Sequence, residues 1–566
     1  MSLLFFWSFY RLQESIMKLD QRTDRPKDCF SILVLIFSIG YLYLPLLNAW
    51  YLGDDTQWMY FAATNPVFKI LFDRETYLNI SEANFTPMAA LSFKVDWQLF
   101  RMNPVGYNVH CLLALLGSSL VLYAFLRLYT GRWTALAGSM LFVLNPAGAS
   151  VVSCFSNRHY LEGMFWALTS LYLFVRSERD DKKYYFVFSL LAYIFASLYK
   201  EVYLVLPALI FLIAKSRMTE RIRKTAPFWM ALLLYFPWRW HMLGGRMGGY
   251  YFIEWTFKGL ISQALMAVVL PIKYAYGKYW VIFLIFFALM SIAVILRKGG
   301  YRKYITAIGA YGISLAPVIP IMGIFVASGP AGGRFAFQIT TFLIIVSTLA
   351  FSLVKNSKAV IVVVVVLFFL SLGIFHGHAL AVRDAFIRDR DNARMESLKF
   401  TENKKYLKAA YPVWFYDGLR KLYRRFEMKE IETQVFCEET LQYHDPFVIR
   451  DVKGNDAHIY IEKQKGFKQG PLSVDLSWDD RILKWRLAPP HVKAFELLFR
   501  KDNEFYFLYP PIKGMGEHFF PRDAVTNESV YFRIFYRLPD GTEVVSPEIR
   551  IFLPGHGTFS YSAQAS

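Results

Sequence analysis

Two adjacent carboxylates, Asp54 and Asp55, stand directly after the first apolar stretch of the chain, in Tyr51-Leu52-Gly53-Asp54-Asp55. A carboxylate at a membrane–water boundary can take the proton of an acceptor hydroxyl, and a pair can give two oxygen ligands to a metal. The ordinary reading of an isolated Asp-Asp is a polar loop start. Here other ionisable residues gather with it. Arg158, His159 and Glu162 open a later apolar stretch in Ser156-Asn157-Arg158-His159-Tyr160-Leu161-Glu162, a spacing that lets the three share one helix face. Glu162 suits a first helical turn. Arg158 opposes the macrodipole there and needs an anion, either Glu162 or a ligand phosphate. Lys200-Glu201 interrupts an otherwise unbroken apolar run. A helix ending at Lys200 and another starting at Glu201 suit both signs, so a structural role stands beside a functional one. Arg334 follows Ser328-Gly-Pro-Ala-Gly-Gly333. Flexible glycines before a cation suit phosphate capture, with a plain flanking arginine as the alternative. Ionisable groups at membrane depth are costly, which makes all of these functional candidates.

The elements that must position them are membrane spans. The chain has 566 residues, 55% hydrophobic and only 19% charged, with apolar runs of about 18 to 25 residues recurring through its first two-thirds. This is the pattern of a polytopic α-helical membrane protein. Its net charge of +19 sits largely beside the apolar runs, where the positive-inside rule accounts for it and no nucleic acid is needed. Arg11, Lys18, Arg22, Arg25 and Lys27 place the N-terminal tail inside. Met1 to Tyr10 is apolar with its basic residues following, the reverse of a secretory signal, and suits a short segment on the membrane surface. Spans are expected at about 30–50, 105–126, 133–152 (through Asn145-Pro146), 158–176, 226–243, 280–296, 304–327, 335–353 and 359–374. The stretch 184–214 is read as two short helices turning at Lys200-Glu201, because that puts the basic loop 215–224 inside. The expected total is about eleven, with the C-terminus outside. All eight candidates then fall on the outer face. The outer stretch 244–278 is aromatic and suits the interface.

After His376 the composition changes. Residues 379–432 read as a helix-prone connector. From 433 to 566, short alternating runs at 447–450, 457–462, 472–478, 482–486, 494–499, 531–536 and 548–552, with turns such as Pro539-Asp540-Gly541, read as an all-β sandwich of immunoglobulin or fibronectin type III kind. Trp478, Trp485, Phe495 and Tyr531 are expected in its core. Of the four cysteines, Cys29, Cys111, Cys154 and Cys437, only the last lies there, so that region has no internal disulfide, and no CxxC or His/Cys cluster points to zinc. The expected domains are a tail (1–29), a membrane catalytic domain (30–378) with outer loop 51–104, the connector and the sandwich.

At the candidate residues the chain resembles the GT-C superfamily of membrane glycosyltransferases, in particular protein O-mannosyltransferases and the transmembrane-and-TPR mannosyltransferases. The pieces that carry the resemblance are Asp54-Asp55; Phe85-Thr-Pro-Met-Ala-Ala-Leu-Ser-Phe93; Asn103-Pro-Val-Gly-Tyr-Asn-Val-His110; Asn145-Pro146 leading to Arg158 and Glu162; Leu198-Tyr-Lys-Glu201 with Pro207; and Arg334. They fall in order over about 30–345, and nothing matches past about 380. The resemblance implies transfer of a sugar from a polyprenyl-phosphate donor to a hydroxyl on a protein or glycan acceptor at the outer leaflet. It implies Asp54 or Asp55 as base, with Arg334, then Lys200 and Arg158, on the donor phosphate. His159, Glu162 and Glu201 would support them. It implies no cofactor and no metal, although the oligosaccharyltransferase branch uses a divalent ion. TPR repeats are absent, so acceptor choice is not carried over. A bacterial inner membrane with the C-terminal domain in the periplasm fits the sandwich, with the endoplasmic reticulum as the other setting. The competing readings are a lipid-linked glycan transporter, which wants charge at the bilayer midplane and inverted repeats, and a non-catalytic scaffold.

Overall fold

The computed structural model describes residues 25–81, 83–245, 257–281, 283–284, 287–288, 301–319, 332–353, 358–401, 406–409, 413–427 and 429, and the strands between 434 and 563. The segment 1–10, most of 244–256, most of 285–300 and the glycine-rich 328–331 lie outside the described residues. The chain divides into two compact units, one of residues up to 77 with 83–392, the other of 78–82 with 393–566.

The first unit is helical. Helix α1 (Arg25–Tyr43) runs into a 3-10 turn, Leu44–Asn48. Four short helices follow where a loop is expected: α2 (Asp55–Thr64), α3 (Val67–Phe72), α4 (Arg74–Leu78) and α5 (Pro87–Phe100). Helix α6 (Pro104–Arg127) starts on Pro104, with the Asn103 side chain accepting from the Val105 N–H at 3.0 Å. Proline at the first helical position has no amide to leave unpaired, and the asparagine caps one that is. The same device sits inside the next expected span. Helices α7 (Arg132–Val143) and α8 (Pro146–Val152) meet at a 55° bend, where Asn145 caps the Ala147 N–H and donates to Thr340 Oγ1 at 2.7 Å.

Helices α9 (Arg158–Asp180) and α10 (Lys183–Tyr199) form an antiparallel pair. Ser170 and Ser189 each donate a hydroxyl to the other's backbone carbonyl, at 2.9 and 2.7 Å. Lipid is as apolar as leucine, so such helices associate through close packing and interhelical hydrogen bonds. Gly163 shows how close. A Cβ there would lie 2.3 Å from Cε2 of Tyr203, on the segment beyond Lys200.

The turn expected at Lys200-Glu201 is present. Lys200 is extended (φ −159°, ψ 137°), a 3-10 turn covers Glu201–Val205, and α11 (Leu206–Ile213) follows. Lys200 lies over the ring of Tyr160 at the start of α9, whereas the Lys215 amide and the Ser216 hydroxyl bond Glu178 near its end. The chain has therefore reversed. Helices α12 (Met218–Met242), α13 (Phe257–Tyr276), α14 (Tyr301–Leu315), α15 (Gly333–Leu353) and α16 (Lys358–Thr401) complete the unit. Its core includes Leu115, Phe142, Leu168, Phe337 and Val346.

Among the described residues three helices are long and apolar enough to cross a membrane: Asp28–Asn48, Pro104–Arg127 and Gly333–Ser352. Counting the bent pair α7–α8 as one span gives a fourth. This is the composition of a polytopic helical membrane protein, and parts of the expected spans 280–296 and 304–327 lie outside the described residues. Lys183–Tyr199, Glu201–Ile213 and Tyr304–Leu315 are apolar but shorter than a full span. The helices α9 and α12 begin with polar and charged residues.

The second unit continues α16 from Ala393 and adds α17 (Val413–Phe426). Strand β1 (Tyr406–Ala409), inside the segment expected to be a helical connector, pairs in parallel with β2 (Gln434–Cys437). Strands β3 (Val448–Arg450) and β4 (Asp456–His458) are antiparallel. One four-stranded sheet has the order β13-β5-β6-β9, built from His556–Ala563, Leu472–Asp479, Ile482–Ala488 and Met515–Phe519. A five-stranded sheet has β11 (Glu543–Val545), β10 (Ser529–Arg537), β7 (Ala494–Lys501) and β8 (Glu504–Phe507) in that order, with β12 (Ile549–Phe552) also on β10. Both sheets are antiparallel throughout. The side chains of Trp478, Trp485, Phe495 and Tyr531 lie outside those described.

Candidate active site

Gly53, at φ +54°, turns the chain from the end of α1 into α2. That left-handed conformation is open to glycine and strained for most residues with a Cβ. The turn presents Asp54 at the cap of α2 and Asp55 as its first residue, where the helix dipole favours an anion. The two carboxylates part company there. Asp54 is exposed. Asp55 is buried, its Oδ2 accepting from the Leu52 N–H at 2.9 Å and its Oδ1 from the Ser156 N–H at 2.7 Å. Burial pushes the Asp55 carboxyl up to about 6. Arg390 and the two amides pull against that rise, while Asp54 adds to it.

Ser156 belongs to the turn between α8 and α9, and a second functional candidate grips the same turn. Arg334, half-buried in the first turn of α15, donates from Nη1 to Asn157 Oδ1 at 3.4 Å. Cys154 in that turn feels both sides. Burial pushes its thiol up to about 12; Asp55 raises it further, and Arg390 and Arg334 oppose. The guanidinium of Arg334 lies 4.8 Å from the ring centre of Phe335, and the Lys200 ammonium 5.4 Å from that of Tyr160. These two rings meet edge to face, centroids 6.3 Å apart. The His159 ring, next to Tyr160, interacts electrostatically with both cations. Lys200 also donates to Asn84 Oδ1 at 2.9 Å and pairs with Glu201 at 3.1 Å, while Glu201 Oε2 lies 3.8 Å from Arg239. Arg334, Lys200 and His159 thus gather around one aromatic pair beside the turn that holds Asp55.

Arg158 and Glu162, expected on a shared face with His159, point elsewhere. Arg158 is fully buried. Its Nη1 donates to Asp96 Oδ2 at 2.5 Å and to Ser92 Oγ at 3.2 Å, and its guanidinium stacks 4.2 Å from the Phe93 ring centre. Ser92 in turn donates to Glu162 Oε1 at 2.9 Å. His110 contacts Asp96 at 2.7 Å and lies 3.6 Å from Glu162. Burial alone would raise the Asp96 carboxyl, but Arg158 and His110 outweigh it and hold it below the usual range. The anion that Arg158 requires is therefore chiefly Asp96. This network pins α9 to α5 and α6, and it takes Arg158 away from the phosphate role expected for it.

Sequence reasoning also missed Arg390. It lies in α16, within the expected connector 379–432, and is fully buried. It donates to the carbonyls of Trp50, Ala49 and Ser153, the last two at 2.8 and 3.1 Å, and to Asn108 Oδ1 at 3.1 Å. Among the described residues no three His, Cys, Asp or Glu side chains cluster as metal ligands.

Residues 84–240 match the family described as dolichyl-phosphate-mannose-protein mannosyltransferase. The chain resembles the GT-C membrane glycosyltransferases, mannosyltransferases among them. The matched segment holds Asp96, Arg158, Glu162, Lys200 and Glu201, but neither the aspartate pair nor Arg334. Among solved structures, the chain is similar to ArnT from Cupriavidus metallidurans bound to undecaprenyl phosphate, at 13% identity and a TM-score of 0.42, over 72% of this chain and 90% of that one. It is also similar to the oligosaccharyltransferase of Archaeoglobus fulgidus tethered with an acceptor peptide, at 13% identity and a TM-score of 0.37, over 62% of this chain. The match spans only 55% of that oligosaccharyltransferase. No curated protein matches the chain.

Proposed function

We propose that the chain is a membrane glycosyltransferase that moves a sugar from a polyprenyl-phosphate donor to an acceptor hydroxyl on the outer face of the membrane. The observation that carries this reading is the Ser153–Asn157 turn, held by Asp55 through the Ser156 amide and by Arg334 through Asn157. It brings a carboxylate pair and a cationic cluster to one place. Asp54, exposed beside anchored Asp55, takes the acceptor proton. The new bond forms between the acceptor oxygen and the anomeric carbon as the bond from that carbon to the phosphate oxygen breaks. The electron pair leaves with the phosphate, whose added charge Arg334 and Lys200 offset. Attack opposite the leaving group inverts the anomeric centre. The acceptor is a protein or glycan. No metal takes part, so transfer continues in a chelator. The two C-terminal sheets pack as a sandwich of immunoglobulin or fibronectin type III kind on the outer side, the periplasmic side of a bacterial inner membrane.

The test is transfer of radiolabelled sugar from a panel of polyprenyl-phosphate sugars by purified protein, with membrane extract as the source of acceptor. Label consumed from one donor supports the reading, and consumption of none overturns it. Arg334→Ala should lower kcat/KM for that donor by about ten- to a hundredfold, the scale of one hydrogen bond to a charged group. An unchanged value removes Arg334 from the donor site. Ionised Asp55 accepts from two amides, whereas its protonated form turns an O–H toward one of them. With a carboxyl that titrates at about 6, transfer should fall as pH drops through about 6 and level off above it. A rate profile with no acidic limb near that value counts against Asp55 as the anchor.

A further inference from the structure

We propose that Arg390, on the long helix α16 far along the chain from the matched segment, is the positioning residue that locks the Asp54–Asp55 turn against the Ser153–Asn157 turn. The inference rests on the glycosyltransferase reading and deepens it. Two turns meet at the site, one at the end of α1 and one between α8 and α9. Two buried charges join them, each bonding both. The Asp55 carboxylate accepts an amide from each turn, Leu52 and Ser156. The Arg390 guanidinium donates to carbonyls of each, Ala49 and Trp50 on one side and Ser153 on the other. Its remaining bond, to Asn108 Oδ1, joins a side chain that itself donates to the Ala49 and Leu47 carbonyls at 3.1 and 3.0 Å. Phe155 closes the guanidinium plane, its ring centre 4.2 Å away.

Only arginine fits this post. Its planar fork offers five N–H donors, and here they reach four acceptors in different directions. A lysine ammonium offers three, from a single point. The carbonyls carry partial negative charge only, so the full positive charge is balanced across the site by Asp55. Asp54, Tyr51, Tyr107, Cys111 and Cys154 are the ionisable groups that interact electrostatically with this pair. Arg390 thereby sets both the place of the aspartate turn and the charge state of its anchor. It touches neither reacting group, so it acts through the turn.

The experiment compares wild type with Arg390→Lys, Arg390→Gln and Arg390→Ala in detergent. For the donor that wild type consumes, kcat should fall at least tenfold in each variant while KM for the donor stays within about twofold. The cations on the Tyr160–Phe335 pair are untouched. The acidic limb of the rate profile should move to higher pH in Arg390→Gln and Arg390→Ala, which remove the charge, and stay in place in Arg390→Lys. A purely structural arginine would lower stability with no such split. Independently of activity, Cys154 should react faster with a maleimide in the variants, read by peptide-resolved mass spectrometry, and Leu52 and Ser156 amides should exchange faster. Wild-type kcat in Arg390→Lys and Arg390→Gln, together with an unmoved limb in Arg390→Gln, overturns the proposal. So do unchanged Cys154 labelling and amide exchange, the arm that decides if wild type consumes no donor or if Arg390→Ala does not fold.

Discussion

Asp54→Asn abolishes transfer while leaving the protein folded. General-base catalysis contributes about 10²- to 10⁴-fold, so the loss expected for this one atom exchange is about 10³-fold, or about 4 kcal/mol of transition-state stabilisation. Asparagine keeps the shape and the solvent exposure of residue 54 and removes its ability to accept a proton. Asp54 is exposed, and asparagine is itself a favoured helix-cap residue, so the exchange costs the fold little. The contrast with Asp55→Asn separates the two carboxylates. An amide at 55 turns an N–H₂ toward either Leu52 or Ser156, whose N–H groups are themselves donors. That variant should lose activity together with stability. The measurement is the single-turnover rate beside thermal unfolding in detergent for both variants. Near-wild-type transfer by Asp54→Asn with total loss in Asp55→Asn would reverse the roles and make the buried aspartate the base.

The site was partly legible because chemistry interrupts a repetitive background. In a chain this apolar, Lys200-Glu201 and Asn145-Pro146 stand out, and both are breaks in the structure. The Asp54–Asp55 pair stands out for the same reason, and Gly53 before it marks the turn. What the sequence could not divide was the Arg158-His159-Tyr160-Leu161-Glu162 run. Helical spacing allows one face, yet Arg158 and Glu162 turn to α5 and α6 while His159 meets Lys200 and Arg334. The choice is made by partners at a sequence separation of 62 residues for Asp96, which spacing within the run does not contain. Asp96 itself sits in a stretch that reads as a loop. Arg390 was hidden differently. It is one of many charges in 379–401, and only burial separates it from its exposed neighbours. In the C-terminal region, period-two alternation located seven of the strands. The strands at 406–409, 434–437, 504–507, 515–519, 543–545 and 556–563 lack a clear run and declare themselves only by pairing.

The second large effect concerns stability rather than rate. Asp96→Ala leaves the Arg158 guanidinium, 0% exposed, without its main counter-ion. Removing one partner of a buried ion pair costs about 3–5 kcal/mol, because the survivor keeps its desolvation and loses its compensation. Arg158→Ala should cost as much. It strands Asp96 and Glu162 without their guanidinium, leaving His110 beside both. The double variant should cost clearly less than the sum, since neither charge then remains to be satisfied, and that non-additivity is the signature of the pair. Asp96 is held below the usual carboxylate range, so the destabilisation should persist at about pH 5, where an ordinary surface pair begins to weaken. Thermal unfolding in detergent at two pH values checks all of this. Additive losses, or an Asp96→Ala protein as stable as wild type, would mean that the pair does not hold α5 to α9. Arg158 would then be available for a ligand anion after all, and donor KM in Arg158→Lys would become the quantity to measure.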